Sequence, residues 1–209
     1  MYPLGKQFEV NYEHAKCNNK AILQGTTYRI SVLSERLVRL EYSASGKFVD
    51  RPTELVLRRD FDLADFSIRQ DKKIAEITTK YFTLTYVKEQ PFVGTKLDPM
   101  KNLKITLNSH ERDRNKDWYY GHPEARNMLG NMISLDVETQ PYYMKGLYSL
   151  DGFCSIDDSH NKVIMEDGTL EDGPADRVDI YVFMYDKDFS QALLDYFRLT
   201  GSPSMIPRY

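Results

Sequence analysis

The feature that most constrains this chain is a strict apolar–polar alternation in its N-terminal part. In Thr26-Thr-Tyr-Arg-Ile-Ser-Val-Leu33, the residues Tyr28, Ile30 and Val32 share one face. In Arg36-Leu-Val-Arg-Leu-Glu-Tyr42, Val38, Leu40 and Tyr42 share one face, and Arg39 and Glu41 share the other. A repeat of two belongs to a pleated strand, because successive side chains point to opposite sides; a helix needs apolar residues every three or four positions. The two segments therefore predict half-buried strands, with Arg39 and Glu41 on the wetter face, joined as a hairpin through Ser34-Glu35. Lys73–Thr79, Tyr81–Val87, Leu103–Leu107 and Val178–Tyr185 add further candidate strands. Many short strands separated by turn residues predict a mainly β domain, a sandwich or a barrel. A chain of 209 residues fits one such unit.

One segment breaks this pattern. From Asp188, the residues Phe189, Ala192, Leu193, Tyr196, Phe197 and Thr200 recur at helical spacing. Asp188 and Gln191 have the spacing of a capping box, Gly201 supplies a stop and Pro203 follows it. The expected organisation is thus a β-sandwich over 1–187 and a helix with a linker over 188–209. The apolar, proline-containing Ser202–Tyr209 reads as a linker to a further domain. Asn108–Gly130 reads as a long loop, polar at first and then aromatic at Trp118-Tyr-Tyr120; long loops in compact domains are often functional. Asp-Gly pairs at 151, 167 and 172 mark tight turns in an acidic, turn-rich stretch.

Composition narrows the function classes. Hydrophobic residues make up 41% of the chain, enough for a packed core. Lys and Arg are outnumbered 28 to 31 by Asp and Glu, which speaks against nucleic acid as a partner. No apolar run reaches the roughly 18 residues of a membrane span, and Met1–Val10 lacks the apolar core of a secretory signal, so a cytoplasmic, non-membrane protein is expected. Cys17 and Cys154 are far apart and read as reduced, partly buried thiols. No phosphate loop, dinucleotide fingerprint, zinc-protease helix or nucleophile elbow is present. His14, His110, His122 and His160 have no metal-ligand spacing, so neither a cofactor nor a metal is expected.

Two features carry candidate chemistry. The carboxylates from Asp151 to Asp179 are either solvated turn residues or acceptors for sugar hydroxyls, since a carboxylate accepts paired hydrogen bonds. Trp118 either stacks on a sugar ring or anchors the long loop to the sandwich.

Three C-terminal stretches resemble glycoside hydrolase family 31, the α-glucosidase and α-xylosidase family. They are Gly146-Leu-Tyr-Ser-Leu-Asp-Gly-Phe-Cys-Ser-Ile-Asp-Asp-Ser159, the strand-then-helix unit Asp179–Phe197, and Leu199-Thr-Gly-Ser-Pro-Ser-Met-Ile-Pro-Arg-Tyr209. Upstream, Arg36–Tyr42 and Trp118–Asp136 fit more loosely. Asn127-Met-Leu-Gly-Asn-Met-Ile-Ser-Leu-Asp136 stands where relatives often carry an N-L-G-G-T-like run, from which Asn131 and Met132 depart. The resemblance implies a galactose-mutarotase-like β-sandwich with a C-terminal helix. It also implies a partner, the family's own (β/α)₈ catalytic barrel, acting on α-linked oligosaccharides or glycosides. The family's catalytic aspartates, one in a W-x-D-M-N-E-like motif, belong to that barrel, and this sequence contains no such motif. On this reading the chain holds no catalytic residue and is inactive alone. It supports the barrel and lends the sugar site a loop, with Asp151 first and Asp157, Asp158 and Trp118 next as substrate-binding residues. The alternative is a stand-alone carbohydrate-binding β-sandwich.

Overall fold

A computed structural model describes residues 10–94, 102–109, 116–131 and 143–201. After two short 3₁₀ turns, Tyr12–Ala15 and Asn19–Ala21, the first strands are β1 (Ile22–Gln24), β2 (Tyr28–Ser34) and β3 (Leu37–Tyr42). A run of five follows: β4 (Phe66–Gln70), β5 (Ile74–Thr79), β6 (Phe82–Val87), β7 (Leu103–Leu107) and β8 (Asp117–Tyr119). Next come β9 (Gly130–Asn131), β10 (Tyr143–Met144), β11 (Phe153–Asp157), β12 (Val163–Ile164) and β13 (Leu170–Glu171). The long strand β14 (Val178–Met184) leads into α1 (Phe189–Thr200).

The strands form two five-stranded antiparallel sheets, ordered β1-β2-β3-β14-β11 and β4-β5-β6-β7-β8, with β9–β10 and β12–β13 as separate ribbons. Among the described residues the fold is a β-sandwich with one α-helix, at the C-terminal side. The second sheet is a simple meander, and it behaves as period-two patterning requires. In β7, Leu103, Ile105 and Leu107 are buried while Lys104 and Thr106 are not. Its inward residues meet Ile30, Val32, Val38, Leu40, Ile180 and Val182 of the first sheet in one continuous core.

The first sheet departs from the expected half-burial. Its other face is also covered, by α1 and the segment around Val56, which join Leu33, Leu37, Tyr181 and Phe183 in a second apolar cluster. Arg39 and Glu41, on the same face, are buried too, with the Val49 carbonyl accepting from Arg39 and Asp50 pairing with the neighbouring Arg29. Register explains how charge survives there. Arg29, Glu41 and Asp179 stand side by side across β2, β3 and β14, and Ser31, Arg39 and Tyr181 form the neighbouring row. Arg39 donates to Asp179 through Nε at 2.8 Å and Nη2 at 2.6 Å, and Arg29 donates to Glu41 at 2.5 and 2.8 Å. Each buried charge thus has an opposite neighbour, the condition for tolerating it.

The helix starts and stops where its caps require. The Asp188 carboxylate accepts from Gln191 N at 3.1 Å, and Gly201, at φ +88°, donates to the Phe197 carbonyl at 2.9 Å. Its buried stripe is rotated from the expected one. Ala192, Asp195 and Leu199 face the sheet, whereas Leu193 and Leu194 are exposed. Asp195 takes the inward place because Ser34 Oγ and Gln191 Nε2 donate to it at 2.7 and 2.9 Å. Ser202–Tyr209, the expected linker, lies outside the described residues, as does His110.

Candidate functional site

The segment 122–130 and the turn 146–152 pack side by side at the N-terminal end of β11. Asn127 holds them together: its Nδ2 donates to the Gly146 carbonyl at 2.8 Å, and its Oδ1 accepts from the N–H of Gly146 and of Leu129, both at 2.9 Å. Backbone bonds from Met128 N to the Tyr148 carbonyl and from Leu150 N to the Arg126 carbonyl extend the seam. Gly146 permits the approach, since a Cβ there would sit 3.0 Å from the Leu129 carbonyl carbon and oxygen. The turn is anchored below by Tyr185, whose hydroxyl accepts from Ser149 N at 2.5 Å. Gly152, at φ +78°, turns the chain into β11.

This seam gathers ionisable groups. The buried Glu124 accepts through Oε1 from Ser155 Oγ at 2.5 Å, Lys145 Nζ at 2.8 Å, Ser155 N at 2.9 Å and Trp118 Nε1 at 3.4 Å. Its Oε2 is buried with no hydrogen-bond partner, and its backbone is held at φ +46°, an uncommon state for a residue with a Cβ. The Glu124 N–H donates to His122 Nδ1 at 2.9 Å. Burial pulls the His122 imidazole below its ordinary range, although Glu124 and Asp151 oppose it. The ring is therefore neutral at pH 7 and packs edge-on against Tyr119 and Phe153. The Asp151 carboxylate is almost fully buried and accepts from the half-exposed Arg126 at 3.1 Å. Around the seam, Met128, Leu129 and Leu150 and, on the neighbouring β10, Tyr143 and Met144 are all exposed.

The four substrate-contact candidates do not converge. Asp151 belongs to this seam, with its carboxylate beneath Arg126, so a hydroxyl reaching it must displace that guanidinium. Asp157 is exposed near the opposite end of β11, accepts from Ser159 N at 2.9 Å and acts electrostatically on Tyr120.

Asp158 is interior. Thr53 Oγ1 donates to both of its oxygens at 3.0 and 2.9 Å, Asn161 Nδ2 donates at 2.8 Å, and Arg177 and Arg59 lie 3.5 and 3.8 Å away. Burial and the neighbouring Asp179 carboxylate raise Asp158 to about 6. Burial also works to raise Asp179, but Arg39, Arg59 and Arg177 outweigh it and hold Asp179 below its ordinary range.

Two of the four candidates lie inside the protein. Trp118 is 1% exposed and lies in the core between the sheets, so it anchors its segment and presents no face to a sugar. Asp158 is fully buried and braces the Thr53 turn instead of meeting solvent. Glu124, Arg126 and Lys145 escaped the sequence reading because they lie in irregular segments without spacing to mark them; the only signal was the aromatic loop beside them.

No family model matches the chain, and no curated protein matches its sequence. Among solved structures, a glycoside hydrolase family 31 dextranase of Flavobacterium johnsoniae complexed with glucose aligns at 16% identity and a TM-score of 0.41. That alignment covers 87% of this chain and 26% of the dextranase. A mutant of the same enzyme complexed with isomaltotriose aligns at 16% identity and 0.41, over 88% of this chain and 27% of that one. This chain spans about a quarter of the length of each.

Proposed function

We propose that the chain is the N-terminal, non-catalytic β-sandwich of a retaining α-glycosidase, galactose-mutarotase-like in kind. In this role it buttresses a catalytic barrel and lends the sugar site the Asp151 loop. One observation carries the reading. Gly146–Ser159, one of the three stretches that resemble family 31, and Asn127–Asn131, from the loosely fitting segment upstream, are knit together by Asn127, and exposed apolar side chains surround their junction. Such a surface matches a domain interface, where large apolar groups leave water on docking. Asp151 lies within it, with Arg126 as a removable counter-ion. A bound sugar hydroxyl takes Arg126's place on the carboxylate, and Glu124 with Lys145 keeps the seam fixed meanwhile. The sequence holds no W-x-D-M-like nucleophile motif, so the hydrolytic carboxylates come from the barrel.

The test is to read the source gene past the codon for Tyr209 and assay its product. An open frame of barrel length carrying a W-x-D-M-like motif, with a product that cleaves an aryl α-glucoside, is the expected result. A stop codon directly after Tyr209 overturns the reading.

A further inference from the structure

A cleft of about 440 Å³ lies beyond the opposite end of β11 from Asp151. Its walls are the 3₁₀ turn at Tyr12–Ala15, the segment 48–51 and the β12–β13 ribbon with the residues just after it. The volume falls within the range of small-molecule sites, about 300–1,000 Å³.

Two aromatic rings line the cleft, and both are held in place. The Tyr12 hydroxyl donates to the Met165 carbonyl at 2.6 Å, tying the N-terminal turn to the ribbon. Phe48 carries the Arg29 guanidinium 5.0 Å from its ring centre, and Arg29 is itself fixed by Glu41 and Asp50. Five carboxylates line the cleft, Glu13, Asp50, Glu166, Glu171 and Asp172, and Arg29 pairs with Asp50 at 2.8 Å while Lys162 pairs with Asp172 at 3.5 Å. Lys16 pairs with Glu13 at 2.8 Å, Arg51 pairs with Glu166 at 3.2 Å, and Glu171 stands exposed on β13.

This mixture selects among ligand classes. An organic cation finds four of the five carboxylates, Glu13, Asp50, Glu166 and Asp172, already paired with a lysine or arginine. An anion meets Glu13, Glu166 and Glu171. A multidentate metal ion needs clustered ligands, and the described residues contain no group of three or more His, Cys, Asp or Glu able to hold one. A neutral polyol satisfies both signs, because each hydroxyl donates to a carboxylate and accepts from an ammonium or guanidinium. The apolar C–H faces of a pyranose also suit the Tyr12 and Phe48 rings. We propose that this cleft is a saccharide-binding site, separate from the Asp151 loop and independent of the glycosidase reading.

The chain closes its own two-sheet core, so the 209-residue protein can be tested directly. Isotope-labelled protein is titrated with glucose, xylose, galactose, maltotriose and isomaltotriose, and with spermidine and inorganic phosphate as charged controls, while amide resonances are followed. The expected result is sugar-dependent shifts confined to residues 12–16, 48–51 and 163–174, with a Kd of about 1 mM. Glu171→Ala or Tyr12→Ala should weaken this binding by about two- to tenfold, the share of one hydrogen bond or ring contact, while Asp151→Ala leaves it unchanged. No sugar shift at the solubility limit overturns the proposal. So do shifts confined to residues 122–130 and 146–152, shifts that neither cleft variant weakens, or saturation of the cleft by spermidine or phosphate but not by sugar. The glycosidase reading stands or falls separately, on the reading frame beyond Tyr209.

Discussion

Replacing Arg39 by Met tests how charge is accommodated inside the first sheet. The guanidinium is fully buried and serves three partners: the Asp179 carboxylate at 2.8 and 2.6 Å, the Glu41 carboxylate at 3.0 Å and the Val49 carbonyl at 3.0 Å. Methionine fills a similar volume but offers no positive charge. Glu41 keeps Arg29, whereas Asp179 keeps only Arg177 Nε at 3.8 Å and the more distant Arg59. A buried carboxylate stripped of its main partner costs about 3–5 kcal/mol, mostly as desolvation no longer offset. For a protein of this size, each kcal/mol lowers Tm by about 2–4 °C, so a fall of about 6–20 °C is expected. Urea unfolding at pH 7, followed by circular dichroism, gives the free energy directly. The Asp179→Leu single variant and the Arg39→Met/Asp179→Leu double variant complete a cycle. If the pair is coupled as the geometry shows, the double variant loses less than the two single losses added together. A loss below about 1 kcal/mol for Arg39→Met, or strict additivity across the cycle, would refute the argument, because it would mean that water already reaches Asp179.

Three further outcomes follow from the site geometry. Asp158, raised to about 6, binds its proton more tightly in the folded chain than in the unfolded one; its contribution is present below about pH 4 and is lost as pH rises through 6. Urea titrations at pH 4 and pH 7 should show the native protein losing about 2 kcal/mol more stability over that interval than Asp158→Asn, and parallel losses would contradict the assignment. Trp118→Ala should cost about 3–5 kcal/mol through the core cavity it leaves, with Trp118→Phe much milder; a fully stable alanine variant would remove Trp118 from the core. If the chain belongs to the proposed glycosidase, Asp151→Ala in the full enzyme should lower kcat/KM about tenfold or more on an aryl α-glucoside, through loss of a charged hydrogen bond. Because Arg126 is half exposed, the same substitution should cost only about 1 kcal/mol of stability. Unchanged kinetics would make Asp151 a structural turn residue.

Legibility from sequence followed local physics. The β2–β3 hairpin, β5, β6, β7 and β14 were readable because one-sided burial writes a period of two into the chain, and α1 was readable because its caps are local. The burial of Arg39 and Glu41 was not readable. The Val49 carbonyl and Asp50, which meet Arg39 and Arg29 on that face of the sheet, come from an irregular segment, and the partner Asp179 is 140 residues from Arg39. Strands β4 and β8 escaped for related reasons: β4 is largely exposed on a sheet edge, and β8 is three residues inside a polar loop. Asp151 was singled out through its Asp-Gly turn and the motif around it. Its partner Arg126 was not, since nothing in Glu124-Ala-Arg126 announces that a tertiary seam runs there.

The strand order of the first sheet has a consequence for synthesis. Strand β3 must wait for β14 to flank it, and β14 is made only after the whole second sheet has emerged. The second sheet joins neighbours in sequence and can close as it is translated. At the usual 5–20 residues per second, the open edge of β3 is presented for about 7–30 s on the ribosome before its neighbour arrives. That edge carries Arg39 and Glu41, two charges that discourage a stray strand from adding there. The pair that later becomes interior ballast thus first serves the nascent chain as a guard against mispairing.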